Sequence, residues 1–153
     1  MPVAISSYAF FQRKVGKIVF PKTLKRFEHS ALCNCYIDAD ELVIPNIEFE
    51  DGEWFNATIL PPIVKLEGMS ALEDGAFAYS TFGAMSLPST LTEIGDWAFY
   101  NCKSITSITI PEGITSIGKY TFSECRQLSS ITFPNNLKTI EEGAFEYCQR
   151  IWL

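Results

Sequence analysis

Histidine occurs once in 153 residues, as His29, and 12 Lys and Arg face 18 Asp and Glu, a formal net charge of −6. No run of basic residues offsets that balance. Affinity for nucleic acid rests on such side chains neutralising phosphates, so composition argues against a nucleic-acid partner. A polybasic membrane-surface patch is equally unsupported. No apolar run approaches the ~18–20 residues that span a bilayer, so membrane insertion is not expected. The opening stretch MPVAISSYAFFQRKVGKIVF lacks the basic start and uninterrupted apolar centre of a secretion signal. Cysteine is sparse and odd in number, at five, which does not read as a small disulfide scaffold. No G-x-S-x-G elbow and no P-loop is present, and no cofactor is implied.

What the sequence has is a repeat. AFYNC (98–102) returns as TFSEC (121–125) and as AFEYC (144–148). Residues 94–116, 117–139 and 140–153 align without a gap, with Ile94, Ile117 and Ile140 in step. So are Phe99, Phe122 and Phe145, then Cys102, Cys125 and Cys148. Looser copies run over 72–93, with Ser80 at the cysteine position, over 27–48, with Leu32 and Cys35, and over 5–26, with Phe10. Residues 49–71 are the poorest fit. The expectation is one solenoid over 1–153, of about six full repeats and a truncated seventh, because a period in this range marks stacked supersecondary units.

Within SITSITIPEGITSIGKYTF (104–122), Ile108 and Ile110 alternate with Ser107 and Thr109, the pattern of a short strand with one apolar face. Pro111 has no N–H to donate and ends it. Ile117 and Phe122, five apart, suit a helical turn or a short 3₁₀ segment better than another strand. One such unit cannot bury its own apolar side, so stacking must do it.

The pattern L-x-x-I-x-I-P-x-x-L-x-x-I-G-x-x-A-F-x-x-C resembles the BspA-like, or treponemal-type, leucine-rich repeats. Ile105, Ile108, Ile110, Pro111, Ile114, Ile117, Gly118, Phe122 and Cys125 carry the match, with Thr121 in place of the usual Ala. The resemblance implies an α/β solenoid, a right-handed superhelix with a parallel concave β-sheet and short helical or 3₁₀ turns on the convex side. It also implies a cell-surface or secreted setting and a non-enzymatic protein-binding role, adhesion to host or matrix proteins being the usual association.

The cysteines allow a metal or redox reading. A column of single thiols on successive rungs does not converge on one point, however, and free Cys packs as a small apolar group. The C-x-C of Cys33 and Cys35 has one histidine to work with, whereas zinc usually takes four Cys or His ligands. A thiol enzyme using Cys33 or Cys35 with His29 is the remaining catalytic reading, but His29 shares a polar, variable repeat position with Asp96, Lys119 and Glu142. The carboxylates of EFED (48–51) and Glu141–Glu142 read as solvated surface charge rather than a calcium loop.

Binding is better sought on the strands. Their outward residues form two rows: Lys17, Glu41, Ala84, Ser107 and Ser130; and Val19, Val43, Ser86, Thr109 and Thr132. The second half of this face is small, hydroxylated and nearly uncharged, which suits an extended protein partner or a glycan and equally a neutral strand surface with no ligand. Trp97 and Tyr120 share a repeat position, which allows an aromatic patch on the convex side; half-buried packing beside the Phe column is the reading expected. The irregular stretch 46–69, with Trp54, Phe55 and Pro61–Pro62, is either drift within the stack or a protruding functional loop. Ile151 and Trp152 close the sequence without a polar cap, which predicts end-to-end self-association of an assembly module.

Overall fold

A computed structural model describes residues 3–50 and 54–151. Asp51 of the EFED run, and Trp152, on which the end-to-end expectation partly rests, lie outside the described residues. The chain forms a parallel β-solenoid. Its strands are β1 (Val3–Ile5), β2 (Lys14–Val15), β3 (Leu24–Phe27), β4 (Tyr36–Ile37), β5 (Glu41–Ile44), β6 (Glu48–Phe49) and β7 (Ile63–Leu66). There follow β8 (Ala71–Leu72), β9 (Ala84–Ser86), β10 (Glu93–Ile94), β11 (Ser107–Thr109), β12 (Ser116–Ile117), β13 (Ser130–Thr132) and β14 (Thr139–Ile140).

These short strands stack into three parallel ladders. The long-strand face carries β5–β7–β9 and then β11–β13. A short-strand face carries β1–β3–β6, β8–β10 and β12–β14. A third ladder joins β2 to β4 and continues as single bridges from Tyr36 to Ile59 and from Ile59 to Thr81. Register places like on like: Ile108 opposite Ile131, and Ile117 opposite Ile140. The proline after β9, β11 and β13 stops the ladder and turns the chain, and Pro21 makes the same turn where no strand has formed. Pro21, Pro88, Pro111 and Pro134 each accept the N–H of the Leu or Ile three residues on, at 2.9–3.3 Å.

The expected helical or 3₁₀ turns are absent among the described residues. Between the short strand and the next long strand, the chain runs through consecutive β-turns. In the rung of Ile94 these are closed by Ala98 N–H to Gly95 O (3.4 Å), Tyr100 N–H to Trp97 O (2.9 Å) and Cys102 N–H to Phe99 O (3.2 Å). The reason is backbone sign. Trp97 and Asn101 have φ of 56° and 57°, at the third position of the first and last turn. Type II turns need φ > 0 there, and a single left-handed residue breaks a run of helical dihedrals. The same sign recurs at Tyr120, Glu124, Tyr147 and Tyr79, and at Gly75 and Gly143.

Inside, Phe55, Phe77, Phe99, Phe122 and Phe145 stack nearly parallel, with successive centroids 5.3, 5.7, 5.2 and 5.4 Å apart. The first four are fully buried, each contributing roughly 2–3 kcal/mol by removal from water. Gly95 and Gly118 answer to a packing need. A Cβ at either would collide with the carboxylate of Asp74 or Asp96 in the neighbouring rung. Those carboxylates accept the next rung's backbone N–H: Asp96 N–H to Asp74 Oδ1 at 2.8 Å, and Lys119 N–H to Asp96 Oδ1 at 2.7 Å.

Candidate interaction surfaces

The long-strand face is built by alternation. Leu42, Val64, Met85 and Ile108 point inward and are buried, which forces their neighbours outward. Glu41 pairs with Ile63 and Ile63 with Ala84; Val43 pairs with Lys65 and Lys65 with Ser86; Ser107 and Thr109 pair with Ser130 and Thr132. Every one of these outward residues is exposed except Val43, which is half-buried. Sequence reasoning missed Ile63 and Lys65, whose strand IVKL has the same alternation but sits inside the poorly matching copy.

Lys17 and Val19 need correction. Both are exposed, Val19 at 76%, but they lie in an extended segment that joins no ladder. Gly16 before them and Pro21 after them weaken strand pairing, by backbone entropy and by a missing donor.

Charge divides the face. Lys65 Nζ lies 2.7 Å from Glu41 Oε2. That hydrogen bond and charge hold the Glu41 carboxyl below its ordinary range and push the Lys65 ammonium up. Beyond Ser86 the outward side chains of the strands are hydroxyls. Between β9 and β11, which lie side by side without a ladder, the surface dips into a groove of about 490 Å³. Ser86, Ser107 and Thr109 rim it over Met85 and Ile108.

The cysteine position is interior and is a hydrogen-bond ladder. Cys102 Sγ donates to Phe77 O at 3.1 Å, Cys125 to Phe99 O at 3.1 Å, Cys148 to Phe122 O at 3.0 Å and Cys35 to Phe10 O at 2.6 Å. Where the residue is not cysteine, Thr58 Oγ1 donates to Leu32 O and Ser80 Oγ to Phe55 O. Each rung is thus pinned to the carbonyl at the Phe position of the rung before it. Burial pushes the Cys102 and Cys35 thiols up, Cys125 to about 12 and Cys148 to about 11. A reactive cysteine has the opposite shift. Cys33 and Cys35 are buried, while His29 is exposed with its ring edge-on to Tyr8 at 5.3 Å. Among the described residues, no three His, Cys, Asp or Glu side chains group as metal ligands, and no helix is long and apolar enough to cross a membrane.

The structure decides two aromatic alternatives. Trp54 does not protrude: it is 5% exposed and stacks on Phe49 at 4.0 Å, inside the core. Residues 54–69 therefore run within the stack. Trp97 does not lie half-buried beside the Phe column. It is 42% exposed and stacks at 5.8 Å on Tyr120, which is half-buried, on the face made by the turns. Tyr79, Tyr100 and Tyr147 join them around a groove of about 550 Å³. Their shared face follows from the repeat register of the aromatic positions between the inward Phe and its flanks.

The BspA type leucine rich repeat region matches residues 3–51 and 44–152, in six copies. No curated protein matches the chain. The fold is similar to that of a leucine rich cell surface protein from Faecalibacterium prausnitzii A2-165, at TM-score 0.59 and 18% identity over 86% of this chain. It is also similar to the pneumococcal vaccine antigen PcpA, at TM-score 0.55 and 18% identity over 97% of this chain. The chain spans 45% and 46% of those two proteins. Rungs of matching register, the Phe column and the six matched copies place this chain in the BspA type leucine rich repeat family.

Proposed function

We propose that this chain is a non-enzymatic protein-interaction module, working at a cell surface, whose contact surface is the long-strand face. The observation that carries the reading is the outward row Ser86, Ser107, Thr109, Ser130 and Thr132. These exposed, small, hydrogen-bonding side chains stand on a backing of buried Met85 and Ile108. Fixed strands present such groups at little ordering cost, which favours recognition of an extended segment. Glu41, Val43, Ile63 and Lys65 extend the surface with a charged end, and Lys17 and Val19 border it. The naming of one solved neighbour as a cell surface protein supports the setting, and matrix proteins are the partner class to try first. The module is taken as one solenoid through residues 1–153.

The test is a solid-phase assay against immobilised collagen, laminin and fibronectin, with the quadruple variant Ser107→Lys, Thr109→Lys, Ser130→Lys and Thr132→Lys. The expected result is capture by the parent and none by the variant, with an unchanged thermal melt. Equal capture by both proteins would overturn the assignment of this face.

A further inference from the structure

The face made by the turns carries residues that folding does not explain. Trp97, Tyr120, Tyr79 and Tyr147 have φ of 56°, 53°, 62° and 59°. Bulky residues rarely adopt this region, and glycine adopts it freely. At the same turn position as Trp97 and Tyr120, neighbouring rungs use Gly75 and Gly143, with φ of 69° and 65°. The backbone therefore accepts glycine where it carries an indole and a phenol. Nor does burial repay the strain in full, since Trp97, Tyr79 and Tyr147 are 42%, 50% and 61% exposed. Large rings kept partly or largely exposed, two of them at a turn position where glycine serves in other rungs, point to a site.

The rings are also arranged. Trp97 and Tyr120 lie almost coplanar in direction, at 10°, and Tyr79 meets Tyr100 edge-on at 5.3 Å. Tyr120 is seated over Gly143, where a Cβ would strike its ring. At Gly75 nothing stands within 4 Å of where a Cβ would be, so the groove floor beside Asp74 is open.

The charge of the groove has one sign. Asp74, Glu124 and Glu146 line it, and no Lys or Arg does. Arg126 pairs with Glu124 at 2.7 Å, whereas Asp74 and Glu146 have no ion-pair partner among the described residues. Glu142 raises the Tyr120 hydroxyl and Glu146 adds to it, the sense expected of a negative local field.

We infer that this groove is a second binding site, separate from the long-strand face, for a basic extended segment of a protein partner, with an Arg or Lys side chain over the Trp97 and Tyr79 rings and its charge met by Asp74 and Glu146. A guanidinium or ammonium is attracted to aromatic faces, and flanking carboxylates complete its recognition. A neutral glycan would use the rings but would leave the carboxylates without a counter-charge.

The decisive variant is Trp97→Gly. Glycine relieves the positive φ, so this protein is expected to fold at least as stably as the parent. The probe is a fluorescent peptide, acetyl-Gly-Arg-Gly-Arg-Gly-amide, titrated by anisotropy at low and high salt, with a Gln-for-Arg peptide as control. Saturable binding is expected for the Arg peptide only, weakened by salt. Trp97→Gly and the pair Asp74→Asn with Glu146→Gln are each expected to weaken it about tenfold or more. The quadruple lysine variant of the long-strand face should bind as the parent does, which keeps this site apart from the other. The inference is overturned by no saturable binding of the Arg peptide, by equal binding of the Gln peptide, or by full binding in a folded Trp97→Gly protein. It is also overturned if a neutral oligosaccharide saturates the groove and the Arg peptide does not.

Discussion

Upstream and downstream of Trp54 the same rung is built from different material. Downstream, aromatic rings repeat from Phe55 to Phe145 with centroids 5.2–5.7 Å apart. Upstream, the equivalent positions hold Phe10 and Leu32, and the stacked rings are instead Phe27, Phe49 and Trp54, near the short-strand face. The exterior differs as well. The upstream half carries the pairs Lys14–Asp38 and Arg26–Glu28, and the Glu41–Lys65 pair spans the boundary. Downstream, Ile63, Lys65 and Ala84 still face outward, the long strands turn to hydroxyls only from Ser86 on, and the ion pair Arg126–Glu124 sits on the turns. What both halves keep is a filled interior and a donor at the cysteine position. The fold constrains volume and one hydrogen bond per rung, and it leaves identity and surface charge free.

The sharpest way to break this comparison is to empty the column on each side. Phe122→Ala removes a fully buried ring held between Phe99 and Phe145, and should cost about 3–5 kcal/mol. Phe10 is only half-buried, so Phe10→Ala should cost clearly less. Urea unfolding of both variants checks this. Equal losses would mean that the upstream interior is as tightly packed as the downstream one.

A smaller effect probes, by pH, the donor position that both halves keep. The Cys125 thiol is pushed from 9.0 to about 12 and Cys148 from 9.0 to about 11, and burial is the main cause in both. The folded state therefore holds these protons after the unfolded chain has released them. Stability is fully present below about pH 9 and falls as the pH rises from there towards about 12. Replacing Cys102, Cys125 and Cys148 with serine should flatten the fall, because serine does not ionise there and Ser80 shows that the position takes a hydroxyl. Thermal melts from pH 8 to 11 read it out. An unchanged fall in the triple variant would assign it to other groups.

Much of this architecture was legible in the sequence, because the rung is short and its apolar beat is close to periodic. The columns of Ile, Phe and Cys, the strand-ending proline and the outward row from Ser86 to Thr132 all follow from alternation and repeat alignment. The turn geometry did not follow. Ile117 and Phe122, five apart, fit a helical turn as well as a chain of β-turns. The deciding feature is a left-handed backbone at Trp97 or Tyr120, which no residue preference announces; only Gly75 and Gly143 hinted at it. The shared repeat position of Trp97 and Tyr120 allowed an aromatic patch on this face, but their company with Tyr79, Tyr100 and Tyr147 was missed for the same reason, since the turns decide which flanking rings share the face. Ile63 and Lys65 were lost because an extra residue near 49–55 shifts the alignment, although the alternation of IVKL was visible. Thr58 was hidden by the same shift, and only its bond to Leu32 O identifies it as the counterpart of the cysteines.

The smallest effect tests whether the charged upstream surface holds the fold at all. Lys65 and Glu41 are each about half exposed, with 48% of the side chain accessible, so water screens the pair while two long side chains lose freedom in making it. Lys14 and Asp38 are more exposed still, at 65% and 52%. Lys65→Gln and Lys14→Gln should therefore leave the unfolding midpoint unchanged within error, at low and at high salt. If either variant lost stability on the scale of Phe10→Ala, the upstream half would be held by its surface as well as its interior. Charge would then be a structural requirement there, and could no longer be read as a freedom that the filled interior allows.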